Sequence, residues 1–172
     1  GIYAHAFRIF DAASVFALLF ASLLLPMFSR MIKHGEPVGQ LTQFSFLLLL
    51  APALLFAISS TYYRQEIMDL LYLGPTSESA SVFGVLIIGF VAVSTTYIFG
   101  TLLTANGNLR ELNFMAAGGV VLNVVLNLIL FPRYKAFGSA IASLITQYLT
   151  AAVQVYLARK VFKFHFNWNL IF

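Results

Sequence analysis

With 172 residues, 60% of them hydrophobic and only 9% charged, the chain falls far below the roughly 25% charge of a soluble domain, and so small a body has too little interior to hide the excess. Its net charge of +4 comes from Lys and Arg scattered between apolar runs, without the basic and aromatic surface of a nucleic-acid partner, and the lack of cysteine excludes a disulfide framework or a thiolate metal site. Lipid is the solvent this composition calls for.

Five stretches, 12–29, 37–63, 79–109, 112–132 and 136–158, contain no Asp, Glu, Lys or Arg. Each is close to or longer than the ~20 residues a helix needs to cross a bilayer core. They predict an all-α polytopic transmembrane helix bundle of about five spanning helices, at 3–29, 41–63, 79–105, 112–131 and 137–162. Turn-forming residues separate them: HGEP at 34–37, LGP at 73–75, ANGN at 105–108 and FPRY at 131–134. Barrel strands do not fit, because the runs are too long and lack alternation. The bundle takes up 1–163. The aromatic run FHFNWNLIF at 164–172 reads as the start of a truncated following segment. Gly1 in place of Met, with no signal-peptide pattern behind it, gives the chain the look of a piece of something longer.

Lys and Arg counts in alternate loops set an expected orientation. Arg30, Lys33, Arg110, Arg159, Lys160 and Lys163 fall on one side, against Arg64, Arg133 and Lys135 on the other. Loops 30–40 and 106–111 and the C-terminal tail are therefore expected in the cytoplasm.

Apart from Arg159 and Lys160 in the last turn of the fifth span, charge within the spans is confined to the first helix. Arg8 and Asp11, at i, i+3, can meet on one face, with His5 one turn earlier. Such charges either face a partner or a water-filled path, which would make them functional, or lie near the helix start and snorkel to the interface or pair with each other. Helix four repeats Gly119, Asn123 and Asn127 at every fourth position, and helix five lines up Ser139, Ser143 and Gln147 beside Gly138, Ala142 and Thr146. Small residues let helix backbones approach, so packing is the first reading of these stripes, with a wetted cavity as the other. Pro26 and Pro52 lie inside spans, as kinks or hinges.

No phosphate-binding loop and no paired metal-ligand histidines occur; His5, His34 and His165 are far apart in sequence, and no metal or cofactor is expected. Glu66 with Asp69 is the best carboxylate group an enzyme could draw on, and it is a weak one. The chain is not expected to be an enzyme.

Several phrases resemble a known family. GIYAHAFRIFDAASVF at the start with LLLPMFSRM at 23–31, EIMDLLYLG at 66–74, LLTANGN at 102–108 and NVVLNLILFPRYKAFGSAIASLIT at 123–146 are similar, in the same order, to landmarks of the polysaccharide exporters and O-antigen flippases. These belong to the multidrug/oligosaccharidyl-lipid/polysaccharide exporter superfamily. The last phrase usually runs Pro, any residue, Tyr-Gly, then Gly-Ala-Ala; here Lys135 stands where that Gly often lies, and Ser139 replaces the first Ala. The resemblance covers nearly the whole chain and implies most of the C-terminal lobe of a two-lobe exporter, from that lobe's second helix onward, with an N-terminal lobe of the same protein as its partner.

The resemblance further implies flipping of a polyprenyl-diphosphate-linked oligosaccharide across a bacterial inner membrane, for cell-surface polysaccharide synthesis, by alternating access. Arg8 is then the expected diphosphate ligand, with His5 and Asp11 holding it or coupling a cation, and Asn123 and Asn127 are further candidates for substrate contact. The family's topology puts the Arg30 and Lys33 loop in the cytoplasm, in line with the Lys/Arg count. A multidrug cation antiporter of the same superfamily is the nearest rival, disfavoured because Arg8 offsets Asp11, the lone intramembrane acid. A membrane-embedded polysaccharide polymerase or transferase would tend to carry longer loops, and a plain interaction subunit is a third alternative.

Overall fold

The computed structural model describes residues 2–71 and 77–163, apart from the side chains of Ile2, Tyr3 and His5. The segment 164–172, with His165, and the expected turn at 73–75 lie outside the described residues.

Every element is helical: α1 (Ile2–Lys33), α2 (Gly39–Tyr62), α3 (Arg64–Leu71), α4 (Ser77–Ala105) and α5 (Leu109–Phe162). All but α3 are long and apolar enough to cross a membrane. α5 is not one rod. Lys135, at φ 50 and ψ −129, breaks the helical backbone and divides it into legs 109–134 and 136–162. A Cβ on Gly138 would meet the carbonyl of Leu130, the Asn123 amide reaches Thr146, and Gly119 lies against Thr150. These pairs step outward evenly from Lys135, so the legs form an antiparallel hairpin. With it the described residues hold five spanning-length helices, plus the short α3, which the sequence reading did not foresee.

α4 is the hub. Phe10 of α1 packs with Phe83, Leu86 and Phe90, and Leu24 and Phe28 pack with Ile98, Phe99 and Leu102, so α1 and α4 run parallel. α2 runs the other way, with Phe56 against Phe90 (ring centroids 5.8 Å apart) and Phe46 against Phe99 (5.4 Å). The second leg of α5 is again parallel to α4, Gln147 meeting Gly89 and Gln154 meeting Gly100. The first leg contributes no buried residue and touches the bundle's outside. Gly35 and Gly107, both at positive φ, close α1 and α4 on one side of the bundle, as helix C-terminal glycines do. Pro26 and Pro52 sit inside α1 and α2, which continue through them.

The interior mixes small residues with large apolar ones such as Phe28, Phe83, Phe99 and Leu102, and far more large apolar side chains lie outside than a water-soluble bundle would expose. Buried positions include Ala6, Ala17, Ala21, Ala53, Ala57, Ala140, Ala142 and Ala151, with Ser14, Thr42, Ser45, Ser60 and Ser94, while Phe16, Leu23, Leu55, Phe114, Leu128 and many other large apolar side chains lie outside. In water this would be an aggregation surface. In lipid it is expected, because tails are as apolar as Leu and helices associate through close packing of small residues. Hydroxyls mostly bond within their own helix: Ser14 donates to the Phe10 carbonyl (2.9 Å), Thr42 to Val38 (2.9 Å), Thr95 to Val91 (2.9 Å) and Thr104 to Gly100 (2.8 Å). An apolar surround then leaves few of them unsatisfied.

Candidate functional site

The inward positions of α1 are Ala6, Phe10, Ser14, Ala17, Ala21, Leu24 and Phe28, a three-to-four spacing that faces α4. Arg8 and Asp11 fall on the opposite, exposed face with Val15, Leu18 and Leu19. Both charges are exposed, and among the described residues no ion pair joins them. Arg8 and Arg30 are separated by about 33 Å of helix at ~1.5 Å per residue, close to the ~30 Å of a bilayer core. If α1 spans, Arg8 stands at one boundary and Arg30 at the other. The side chain of His5 lies outside the described residues.

Asn123 and Asn127 are elsewhere. The Asn127 amide donates to the side-chain oxygen (3.0 Å) and backbone carbonyl (2.9 Å) of Asn123, and the Asn123 amide reaches the Thr146 hydroxyl at 3.4 Å. Thr146 donates in turn to the Ala142 carbonyl (2.8 Å). This polar ladder joins the two legs of α5. The hairpin and α1 touch only marginally across α4, so Arg8 and Asp11 do not share a site with Asn123 and Asn127 within this chain.

Concave regions lie around α4. α1 and α2 leave a groove of about 380 Å³ between them, lined by Ile9, Ala12, Phe16, Pro52 and Phe56 and floored by Phe90. It carries no charged group, and Arg8 and Asp11 do not line it. A larger cavity of about 750 Å³ lies between α2, α3, α4 and the second leg of α5. Leu54, Ile58, Ile88 and Val91 form its apolar end, and Thr61, Tyr62, Arg64, Gln65 and Glu66 its polar end. Tyr148 lines it from the hairpin, its hydroxyl donating to the Ile88 carbonyl (3.1 Å). The Arg64 chain lies across Gly84, its Cδ 3.2 Å from where a Cβ would stand.

The sequence reading misses this cavity because it counts Arg64 as a loop charge and pairs Glu66 with Asp69 as a weak carboxylate group. The available signal was Thr61-Tyr62-Tyr63-Arg64 closing an apolar span, since tyrosine and arginine gather where helices leave lipid. Also unforeseen, among the described residues, are buried polar atoms without hydrogen-bond partners, Thr61 Oγ1, Ser94 Oγ and Gln154 Oε1. Among the described residues no group of three His, Asp or Glu gathers as a metal would need. Guanidinium, carboxylate, phenol and amide above an apolar floor suit the binding of an amphiphile. Comparison with protein-family models, curated proteins and solved structures finds no match to this chain.

Proposed function

We propose that the chain is part of a bacterial inner-membrane transporter that flips polyprenyl-diphosphate-linked oligosaccharide by alternating access. The ordered phrases that resemble landmarks of polysaccharide exporters support the class of cargo. The observation that carries the reading is the open face of α1, where Arg8 and Asp11 sit at one end of an otherwise apolar surface. With Arg8 at the bilayer boundary and Asp11 one turn inside it, a charge left facing hydrocarbon costs up to a few kcal/mol on insertion scales, so this end of the face favours water or a facing protein. In a two-lobe exporter it borders the central cavity, with Arg8 at the mouth.

The cargo's diphosphate cannot cross bare hydrocarbon, whereas its polyprenyl tail stays in lipid throughout. A wet cavity with a cation at its mouth removes that barrier, and guanidinium offers paired donors matched to phosphate oxygens. Asp11 and His5 orient Arg8 or carry the coupling cation. The partners are then the lipid-linked oligosaccharide, membrane lipid, the N-terminal lobe and a coupling cation, with the Arg30 end of α1 in the cytoplasm.

The test uses the full-length protein in cells that depend on it for surface polysaccharide, with variants matched for abundance. Arg8→Ala is expected to lower export about tenfold, the loss of one charge-assisted contact. Unchanged export in Arg8→Ala overturns the reading. Loss in Asp11→Asn without loss in Arg8→Ala turns it toward a cation antiporter.

A further inference from the structure

The polar end of the larger cavity carries two opposite charges, Arg64 and Glu66, on the first turn of α3. Neither has an ion-pair partner among the described residues, while the neighbouring Gln65 amide is engaged by Asp69 (3.1 Å). Below them the walls are apolar: Leu54 and Ile58 from α2, Ile88 and Val91 from α4. Past Tyr148, which lines both, a second cavity of about 400 Å³ continues along Ala92, Thr95 and Val155, with Tyr156 and Arg159 also on its lining. From Gly84, beneath Arg64, to Thr95 is about 16 Å of α4, which matches one leaflet's half of a ~30 Å hydrocarbon core.

We infer that this furrow is a binding site for one phospholipid with a zwitterionic phosphoethanolamine headgroup. Its phosphate takes the Arg64 guanidinium, its ammonium takes the Glu66 carboxylate, and one acyl chain runs down the furrow past Tyr148. The charge pattern selects this occupant. Inorganic phosphate uses only Arg64, leaves the apolar walls empty and is repelled by Glu66. A phosphatidylglycerol headgroup is a net anion that Glu66 likewise opposes. Gly84 belongs to the site, because the lack of a side chain there lets the Arg64 stem lie flat against α4. The inference rests on the bundle lying in a membrane and is independent of the transported cargo.

The full-length protein in mild detergent is titrated with phosphatidylethanolamine, phosphatidylglycerol or inorganic phosphate, and bound lipid is counted by native mass spectrometry. One phosphatidylethanolamine is expected to be retained per protein in preference to phosphatidylglycerol. Arg64→Gln lowers that retention about tenfold. Glu66→Gln removes the preference without abolishing binding. Ile88→Trp, which fills the apolar end, lowers retention of both lipids. Each variant is checked for an unchanged melting midpoint, and Arg64→Gln, on an exposed side chain, serves as the reference if Ile88→Trp unfolds. Equal retention of the two lipids by the unaltered protein overturns the site, as does retention unaffected by Arg64→Gln or competition by inorganic phosphate alone. Export by the same variants is recorded separately, so a failed cargo assignment and a failed lipid site give different patterns.

Discussion

Gly138 rests directly against the carbonyl of Leu130: a Cβ at position 138 would come within 2.5 Å of that oxygen and 3.1 Å of the Tyr134 Cβ. The obstacle is backbone, which cannot swing aside. Gly138→Ala is therefore expected to wedge the α5 legs apart and destabilise the protein by about 1–3 kcal/mol, the usual result of overpacking. Gly118, with nothing within 4 Å of its would-be Cβ, provides the contrast. Gly118→Ala should raise stability by about 0.5–1 kcal/mol, through helix propensity alone. Melting midpoints in detergent decide both, and a Gly138→Ala protein as stable as Gly118→Ala would refute the hairpin geometry.

At the turn, Lys135 holds φ 50 and ψ −129, a backbone region that favours glycine. Replacing it by glycine relieves strain of about 1 kcal/mol or more. Lys135→Gly should raise the midpoint. A fall would mean that the lysine side chain contributes something beyond the turn.

The Asn123, Asn127 and Thr146 ladder bonds mainly to itself. Polar contacts between membrane helices average ~0.6 kcal/mol by double-mutant cycles, so Asn127→Leu should lower stability by about that much and leave export intact at matched protein levels. A collapse of export with an unshifted midpoint would instead put these amides on the cargo's path.

Sidedness can be read cleanly, since the chain has no native cysteine. α1, α4 and the second leg of α5 are parallel, so the turns at 34–38 and 106–108 share one side of the bundle. The α2 end and the Lys135 turn share the other. Glu36→Cys and Asn106→Cys should react with an impermeant thiol reagent only from the cytoplasm, and Glu66→Cys and Arg133→Cys only from the opposite face. Labelling of all four from one side rules out the five-span arrangement.

The spans were legible from residue order alone because bilayer crossing is a local property: a charge-free run of sufficient length is enough, and 12–29, 37–63, 79–109, 112–132 and 136–158 each contain the body of one helix. A break between the last two spans was legible for the same reason, but it was expected at FPRY 131–134; those residues are helical, with Pro132 inside the helix, and the chain turns at Lys135 instead. The small-residue stripe through Gly138, Ala142 and Thr146 was read as packing, and Gly138 and Ala142 are buried.

What residue order left undecided is which face of each helix turns inward. In water, an apolar stripe marks the core; in an apolar solvent both faces are apolar, and that mark disappears. Only the assembled bundle makes α4 the hub, turns Arg8 away from it and lays Arg64 across Gly84 at the polar end of a cavity built from four elements. Those relationships depend on side-chain shape meeting across helices far apart in the chain, and no single helix contains that information.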